Sequence, residues 1–336
     1  MLSKITVSPA PHIRQALSTR RVMGDVLIGL LPAVIAAGLF FRLRALLVIA
    51  VCVITCVISE WLCTVIRKRA ASLGDLSAVV TGVILALSLP PQVPFSAAIV
   101  GSVFAIVIAK MVFGGLGSNI FNPAMAARAF MTASFGAAMT TWTVPATLEA
   151  ELPIITAANT SATTQATPLA WSKAVQKGQV EPQYINAQIS NAFWGEVGGC
   201  LGETSALALL IGGAYLLFRR TITWHIPAAV LLSSGGIALA TWLMNPQAYV
   251  NPLLHLFGGG LLICAFFIAT DPVTAPLTVK GMWIFGLGVG ALIMLIRIVG
   301  EYPEGVMYAV LIMNALTPLI DRFCKLTPAG GVPDVC

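Results

Sequence analysis

Two carboxylates set in apolar sequence and one hydroxyl-rich run are the groups whose types and positions could do chemistry. Glu203 stands between Gly202 and Thr204, and Asp271 between Thr270 and Pro272, each within or at the end of a hydrophobic segment. A charge at the bilayer centre costs about 2.5 kcal/mol or more, so each such group needs a reason to be there. Glu203 lies too deep for easy access to water. Asp271 either holds a cation beside freed backbone carbonyls or caps the helix that follows. Asp25, Glu60, Lys110, Arg128 and Arg297 pose the same question. Asp25 and Lys110 sit near segment ends, where snorkelling to water is the expectation. The hydroxyl-rich run is Ser161–Leu169, S-A-T-T-Q-A-T-P-L, inside a polar interval from Thr140 to Asn191. On composition alone such a run is a linker.

Other chemistries find little support. There is no G-x-G-x-x-G after a strand, no Walker A lysine and no H-E-x-x-H. His12, His225 and His255 are scattered without ligand spacing, so no metal site is expected from this chain alone. Of seven cysteines, Cys52, Cys56, Cys63, Cys200 and Cys264 lie in apolar segments, and Cys324 and Cys336 follow the last one. None lies in the polar interval, so no disulfide framework is expected. Cys52 and Cys56 share a helix face and read as small packing residues rather than ligands. Asn159-Thr160-Ser161 matches a glycosylation sequon, a three-residue pattern of little weight.

These groups must be positioned by membrane helices. The chain is 58% hydrophobic and 10% charged, with mean hydropathy +0.91, whereas soluble domains carry about 25% charged residues. The +6 net charge is no nucleic-acid signature, because the basic residues cluster at segment ends. Ten apolar segments are expected, at about Val22–Phe41, Ala45–Ile66, Leu76–Leu89, Val93–Phe113, Pro123–Thr141, Ala192–Phe218, Trp224–Met244, Leu253–Thr270, Met282–Val299 and Gly305–Ile320. The first is followed at once by another and has no small-residue cleavage site, so it reads as an anchor. With the N-terminus in the cytoplasm, the inner side holds Lys4, Arg14, Arg20, Arg21, Arg67, Lys68, Arg69, Arg219, Arg220, Lys280, Arg322 and Lys325. The outer side holds only Arg42, Arg44, Lys173 and Lys177. That bias places both termini inside and the polar interval outside.

The expected fold is therefore an all-α membrane protein of about ten transmembrane helices. Five segments precede the loop and five follow it, and an odd number per copy makes the second copy inverted. Gly101 lies nine residues before Lys110, and Gly288 nine before Arg297. The third segment ends S-L-P-P and the eighth T-D-P-V-T-A-P, the pattern of broken helices ending at a central site. The expected organisation is a cytoplasmic segment (1–21), a five-helix repeat (22–141), an extracytoplasmic loop (142–191), a second repeat (192–320) and a cytoplasmic tail (321–336).

Several stretches carry a resemblance. They are S-P-A-P-H-I-R (Ser8–Arg14), Leu76–Pro91, A-K-M-V-F-G-G-L-G-S-N-I-F-N-P-A-M (Ala109–Met125), T-Q-A-T-P-L (Thr164–Leu169), W-H-I-P (Trp224–Pro227) and F-F-I-A-T-D-P-V-T-A (Phe266–Ala275). Spread in order over nearly the whole chain, they resemble the D-subunit family of Rnf/Rsx ion-translocating electron-transport complexes. That family is similar in turn to the B-subunit family of the sodium-pumping NADH:quinone oxidoreductases. The resemblance implies FMN joined through a phosphoester to the last threonine of an [S/T]-[G/Q]-A-T motif. That residue is Thr167 here, with Thr164, Gln165 and Ala166 as the recognition pattern. A threonine hydroxyl becomes a usable nucleophile once a base accepts its proton, and an extracytoplasmic flavin transferase supplies that base. Such sites generally carry Asp before the motif and Gly within it, where this chain has Ser161 and Gln165. The resemblance also implies a second, non-covalent flavin (riboflavin or FMN), an Na⁺ or H⁺ route, other subunits of the complex as partners and a bacterial inner-membrane location. Asp271 and Glu203 are the candidate ion-pathway residues.

The resulting expectation is a flavin-bearing subunit that helps couple electron transfer, on the ferredoxin/NADH side, to ion movement. The rival is a channel or carrier with the same inverted repeat and no redox centre, which would have no need of T-Q-A-T outside the membrane.

Overall fold

The computed structural model describes residues 18–68, 73–142, 167–180, 182, 185, 188–300, 302 and 304–325. Helix α1 (Thr19–Ile66) opens at Ser18, whose hydroxyl accepts from the Arg21 N–H at 3.3 Å. As one rod its 48 residues would run about 72 Å, more than twice the hydrocarbon core. Arg42, at φ 54° and ψ −146°, breaks it into two arms that match the first two expected segments. Beyond the break Arg44 donates to the carbonyls of Pro91 (3.3 Å) and Val93 (3.0 Å). Then come α2 (Ser77–Leu87) and α3 (Phe95–Val103), which continues as a π-helix over Phe104–Met111. Next are α4 (Pro123–Ser134) and the single turn α5 (Gly136–Met139).

The polar interval contributes α6 (Pro168–Gln176) and α7 (Gln188–Trp194). The second half contains α8 (Ala206–Phe218), α9 (His225–Met244), α10 (Pro252–Phe257), α11 (Leu261–Ile263, running into a π-helix over Cys264–Ile268), α12 (Val279–Val299) and α13 (Val306–Phe323). Among the described residues there is no strand. Helices α1, α9, α12 and α13 are long and apolar enough to cross a bilayer. Large apolar side chains face outward, Leu39 being 70% and Phe218 87% exposed, a surface suited to lipid rather than water. The chain is an all-α membrane protein.

Several helices start with the same local device. Asn122, Thr167 and Asn251 each precede a proline and cap the following helix through the side-chain oxygen. The proline's missing N–H costs nothing in the first turn.

The sixth expected segment, Ala192–Phe218, is not one helix. Between α7 and α8 the Gly-rich stretch 195–205 is unwound, and it takes Glu203 off any helix. Irregular backbone in a membrane needs partners, and the end of α2 supplies them. Leu201 N–H donates to Leu89 O at 3.0 Å, and Gly202 N–H to Leu87 O at 2.7 Å. The eighth segment is also interrupted, at Gly258–Gly260 between α10 and α11. Gly259 takes φ +68°, a left-handed backbone that favours glycine.

The two halves repeat several contacts. A Cβ on Gly101 would overlap the Met131 side chain, and one on Gly288 the Met313 side chain. Lys110 reaches the start of α2, bonding Ser77 Oγ at 2.6 Å. Arg297 reaches the α10–α11 break, donating to the carbonyls of His255 (2.6 Å) and Gly258 (3.1 Å). Where the halves meet, α1 and α8 cross so closely that a Cβ on Gly212 would overlap the Gly29 carbonyl. Small residues permit such approach between membrane helices.

Candidate functional site

Thr167 is the next described residue after Trp142, at the far end of the polar interval's first part. Its backbone is extended (φ −67°, ψ 157°), as Pro168 requires of the residue before it. Its Oγ1 accepts from the Ala170 N–H at 3.1 Å, and the residue is 8% exposed. Thr164, Gln165 and Ala166 lie outside the described residues. Thr167 borders a cavity of about 350 Å³ that also touches Trp142, Leu169, Gly259, Glu203 and Glu304.

Beneath it lies a cluster of buried charge. Arg128, on α4, donates to Glu203 Oε1 from both terminal nitrogens at 3.3 Å and pairs with Glu304. Its Nη2 also lies 3.2 Å from Cys200 Sγ. The Gly260 N–H donates to Glu304 Oε1 at 2.5 Å. The cluster therefore ties α4 to three places in the second half: the 195–205 break, the α10–α11 break and the segment before α13. Two carboxylates side by side repel, and one guanidinium shared between them offsets that. Cys200 Sγ and one oxygen each of Glu203 and Glu304 lie within 4.8 Å of one another, a spacing that would suit a metal ion. Arg128 Nη2, within bonding distance of all three residues, already stands there as the cation.

Sequence reasoning singles out Glu203 and Arg128 separately. It misses Glu304 and the role of Cys200, because nothing local in Pro303-Glu304-Gly305 marks a buried acid. The available signal is Arg128 itself, a fixed charge within a helix with no acid nearby in sequence.

Asp271 is not part of this cluster. Its Oδ1 accepts from the Val273 N–H and its Oδ2 from the Thr274 hydroxyl, both at 3.2 Å. These bonds close the turn at 272–274 and do not cap the helix that follows, which begins at Val279 with Thr278 as its cap. It also lines a second cavity of about 720 Å³, bordered by Lys110, Asn119, Ala124, Ile84, Phe267 and Thr221 among others. Asn119 Oδ1, buried there, has no hydrogen-bond partner among the described residues.

Snorkelling is the wrong account of Asp25 and Lys110. Lys110 is 2% exposed and bonds Glu60 at 2.7 Å. Asp25 is 5% exposed and accepts from Tyr215 (3.2 Å), Arg219 (3.3 Å) and Thr221 (3.1 Å). Partners on neighbouring helices make burial tolerable where water was expected to. Cys52 and Cys56 are fully buried in the packing.

The chain is similar to named proteins over nearly its full length. It is 45% identical to the D-subunit of the Na(+)-translocating ferredoxin:NAD(+) oxidoreductase complex of Acetobacterium woodii, covering 96% of this chain and 94% of that one. It is 40% identical to the D-subunit of the proton-translocating ferredoxin:NAD(+) oxidoreductase complex of Clostridium ljungdahlii, covering 97% and 96%. With the D-subunit of the ion-translocating oxidoreductase complex of Yersinia pseudotuberculosis the identity is 39%, over 96% and 97%. The model of the NQR2, RnfD, RnfE family matches residues 6–330, and the chain belongs to that family.

Proposed function

We propose that this chain is the flavin-bearing membrane subunit of an ion-translocating oxidoreductase complex, with FMN esterified to Thr167. It is read as two inverted five-helix repeats in a bacterial inner membrane, with both termini cytoplasmic and the loop outside. The observation that carries the reading is the setting of Thr167. Its hydroxyl stands at the N-terminus of nine-residue α6, where unpaired N–H groups and the helix dipole favour an anion such as a phosphoester. Pro168 holds it extended. The carboxylates of Glu203 and Glu304 border the cavity below, so a phosphate is favoured on the side away from them. When bound, the isoalloxazine supplies the redox chemistry, and the chain supplies attachment, orientation and surroundings.

The relatives' names, which couple ferredoxin:NAD(+) oxidoreduction to sodium or proton translocation, support the same activity here. The implied partners are the other subunits of the complex and an extracytoplasmic flavin transferase. A second, non-covalent flavin belongs to this reading, as do ion-pathway roles for Asp271 and Glu203. The deciding experiment is in-gel fluorescence of the denatured polypeptide after co-expression with a flavin transferase. Only covalent flavin survives denaturation, so a dark band overturns the reading, while any second flavin is recovered in the extract.

A further inference from the structure

A nine-residue helix is marginal on its own, so α6 depends on what it rests against. Its buried residues Leu169, Ser172 and Val175 recur every three positions and share one face. Leu169 meets the α10–α11 break. A Cβ on Gly259 would lie 2.5 Å from Leu169 Cδ1, and one on Gly258 3.8 Å from Leu169 Cδ2. The absent side chains at 258–260 therefore leave a notch that the leucine fills. Polar groups from other segments stiffen this notch. Arg297 donates to Gly258 O at 3.1 Å, and Glu304 accepts from Gly260 N–H at 2.5 Å. Further along α6, Val175 packs with Val250 and Leu254 around the start of α10. Lys173 donates to the carbonyl of Gly300 at the end of α12, and a helix C-terminus favours a cation.

Seated in this way, α6 presents Thr167 poorly for its own modification. Thr167 is buried, its Oγ1 is engaged with Ala170 N–H, and the cavity it borders carries Glu203 and Glu304. Forming the phosphoester joins that oxygen to the FMN phosphorus of a flavin dinucleotide. The phosphoanhydride bond breaks, the nucleoside monophosphate leaves, and the hydroxyl proton passes to a base of the transferase. A diphosphate and a whole enzyme must both reach the oxygen, and the two carboxylates repel the diphosphate. We propose that the notch at 258–260 is the docking seat of the flavin-bearing helix, with Leu169 and Lys173 as its positioning residues, and that flavin transfer takes place while α6 is off this seat. This deepens the flavin reading of Thr167 and rests on it. Once α6 returns, the notch fixes the attached group, because Leu169 and Lys173 stand two and six residues beyond Thr167 on the helix that Thr167 caps. The glycines thus have a job beyond breaking a helix: any side chain at Gly259 would occupy the place of Leu169.

The test uses the intact complex expressed without a flavin transferase. Competent transferase and flavin dinucleotide are added, and the rate of labelling is followed by in-gel fluorescence. Amide hydrogen exchange of residues 168–176 is measured on the same complexes before labelling. Gly259→Ala attacks the seat and leaves the loop sequence that the transferase reads untouched. Its Cβ meets Leu169, and φ +68° favours glycine. Lys173→Met removes the bond to Gly300 from the helix side, whereas Lys173→Arg keeps a donor there. A helix that must leave its seat before reacting is off it about 10% of the time or less, and the rate follows that fraction. Gly259→Ala and Lys173→Met should therefore label at least about tenfold faster than the parent, with faster exchange in α6, and Lys173→Arg should behave as the parent does. Faster α6 exchange with parental or slower labelling overturns transfer off the seat. Parental exchange in both disrupting variants overturns the seat itself. If no chain is labelled, the flavin reading falls instead, while exchange still decides the seat. Should Gly259→Ala fail to assemble, Lys173→Met against Lys173→Arg gives the answer alone.

Discussion

Arg128 and Glu304 lie 176 residues apart in sequence and form a buried ion pair between the two halves of the chain. Glu304 also accepts from Gly260 N–H, and Arg128 also holds Glu203. Removing Arg128 leaves two carboxylates buried without their partner, which costs about 3–5 kcal/mol. Arg128→Met should therefore lower the thermal midpoint of the detergent-solubilised protein markedly. Adding Glu304→Met in the same chain should recover part of the loss, because it removes one of the two stranded acids. An Arg128→Met midpoint equal to the parent's would show that the cluster does not hold the halves together.

The α1–α8 crossing makes a second test. At Gly212 a Cβ would overlap the Gly29 backbone carbonyl, whereas at Gly236, on α9, a Cβ meets nothing within 4 Å. Gly212→Ala should cost about 1–3 kcal/mol by forcing the helices apart. Gly236→Ala should be neutral or add up to about 1 kcal/mol, through helix propensity alone. Thermal unfolding of the two single variants side by side gives the answer. Similar midpoints for both would mean that the crossing is looser than described.

Helices are largely legible in the sequence because apolar run length carries the signal: the segments around α9, α12 and α13 agree with the structure to within a few residues. Breaks are legible only in part. Gly258-Gly259-Gly260 and the proline-ended segments announce irregular backbone. The unwinding of 195–205 is masked by the apolar runs that flank it, although four of its eleven residues are glycines and two are glutamates. What unwinds it is a long-range partner, the end of α2, which takes the freed N–H groups of Leu201 and Gly202. For the same reason Glu203 reads correctly as buried and wrongly as helical, and Glu304 escapes notice. Local sequence reports burial, but the pairing of charges across the fold is set by tertiary packing.

Asp271 separates a structural role from a transport role. Its two acceptor bonds, to Val273 N–H and the Thr274 hydroxyl, can be kept in part by an amide oxygen. Asp271→Asn should assemble, keep its covalent flavin and lose most ion pumping in the reconstituted complex. Normal pumping would leave Asp271 with the turn at 272–274 alone. Glu203→Gln should likewise keep the flavin and impair pumping, with a greater cost in stability because it leaves Arg128 with one acid fewer.

Orientation rests on the basic residues. Reporter fusions after Phe323 should be active only in the cytoplasm, and fusions after Gly178 only outside. A cytoplasmic Gly178 would put Thr167 on the wrong side for an extracytoplasmic transferase.

Thr167 has two jobs that substitution can pull apart. Its hydroxyl oxygen caps α6 through Ala170 N–H, and in the proposed function the same oxygen carries the phosphoester. Thr167→Val removes both and should abolish covalent flavin while costing about 0.5–2 kcal/mol for the lost cap. Thr167→Ser keeps both and should restore stability together with some labelling. Thr167→Asn keeps a capping oxygen but no nucleophile, so it should be stable and dark. Thr164→Val should weaken labelling at most, because that residue belongs to the recognition pattern. In the parent chain, the loop peptide should be heavier by FMN less one water, with fragment ions placing the addition on Thr167. A fluorescent Thr167→Asn band, or fragments that put the mass on Thr163 or Thr164, would move the attachment point elsewhere in the loop.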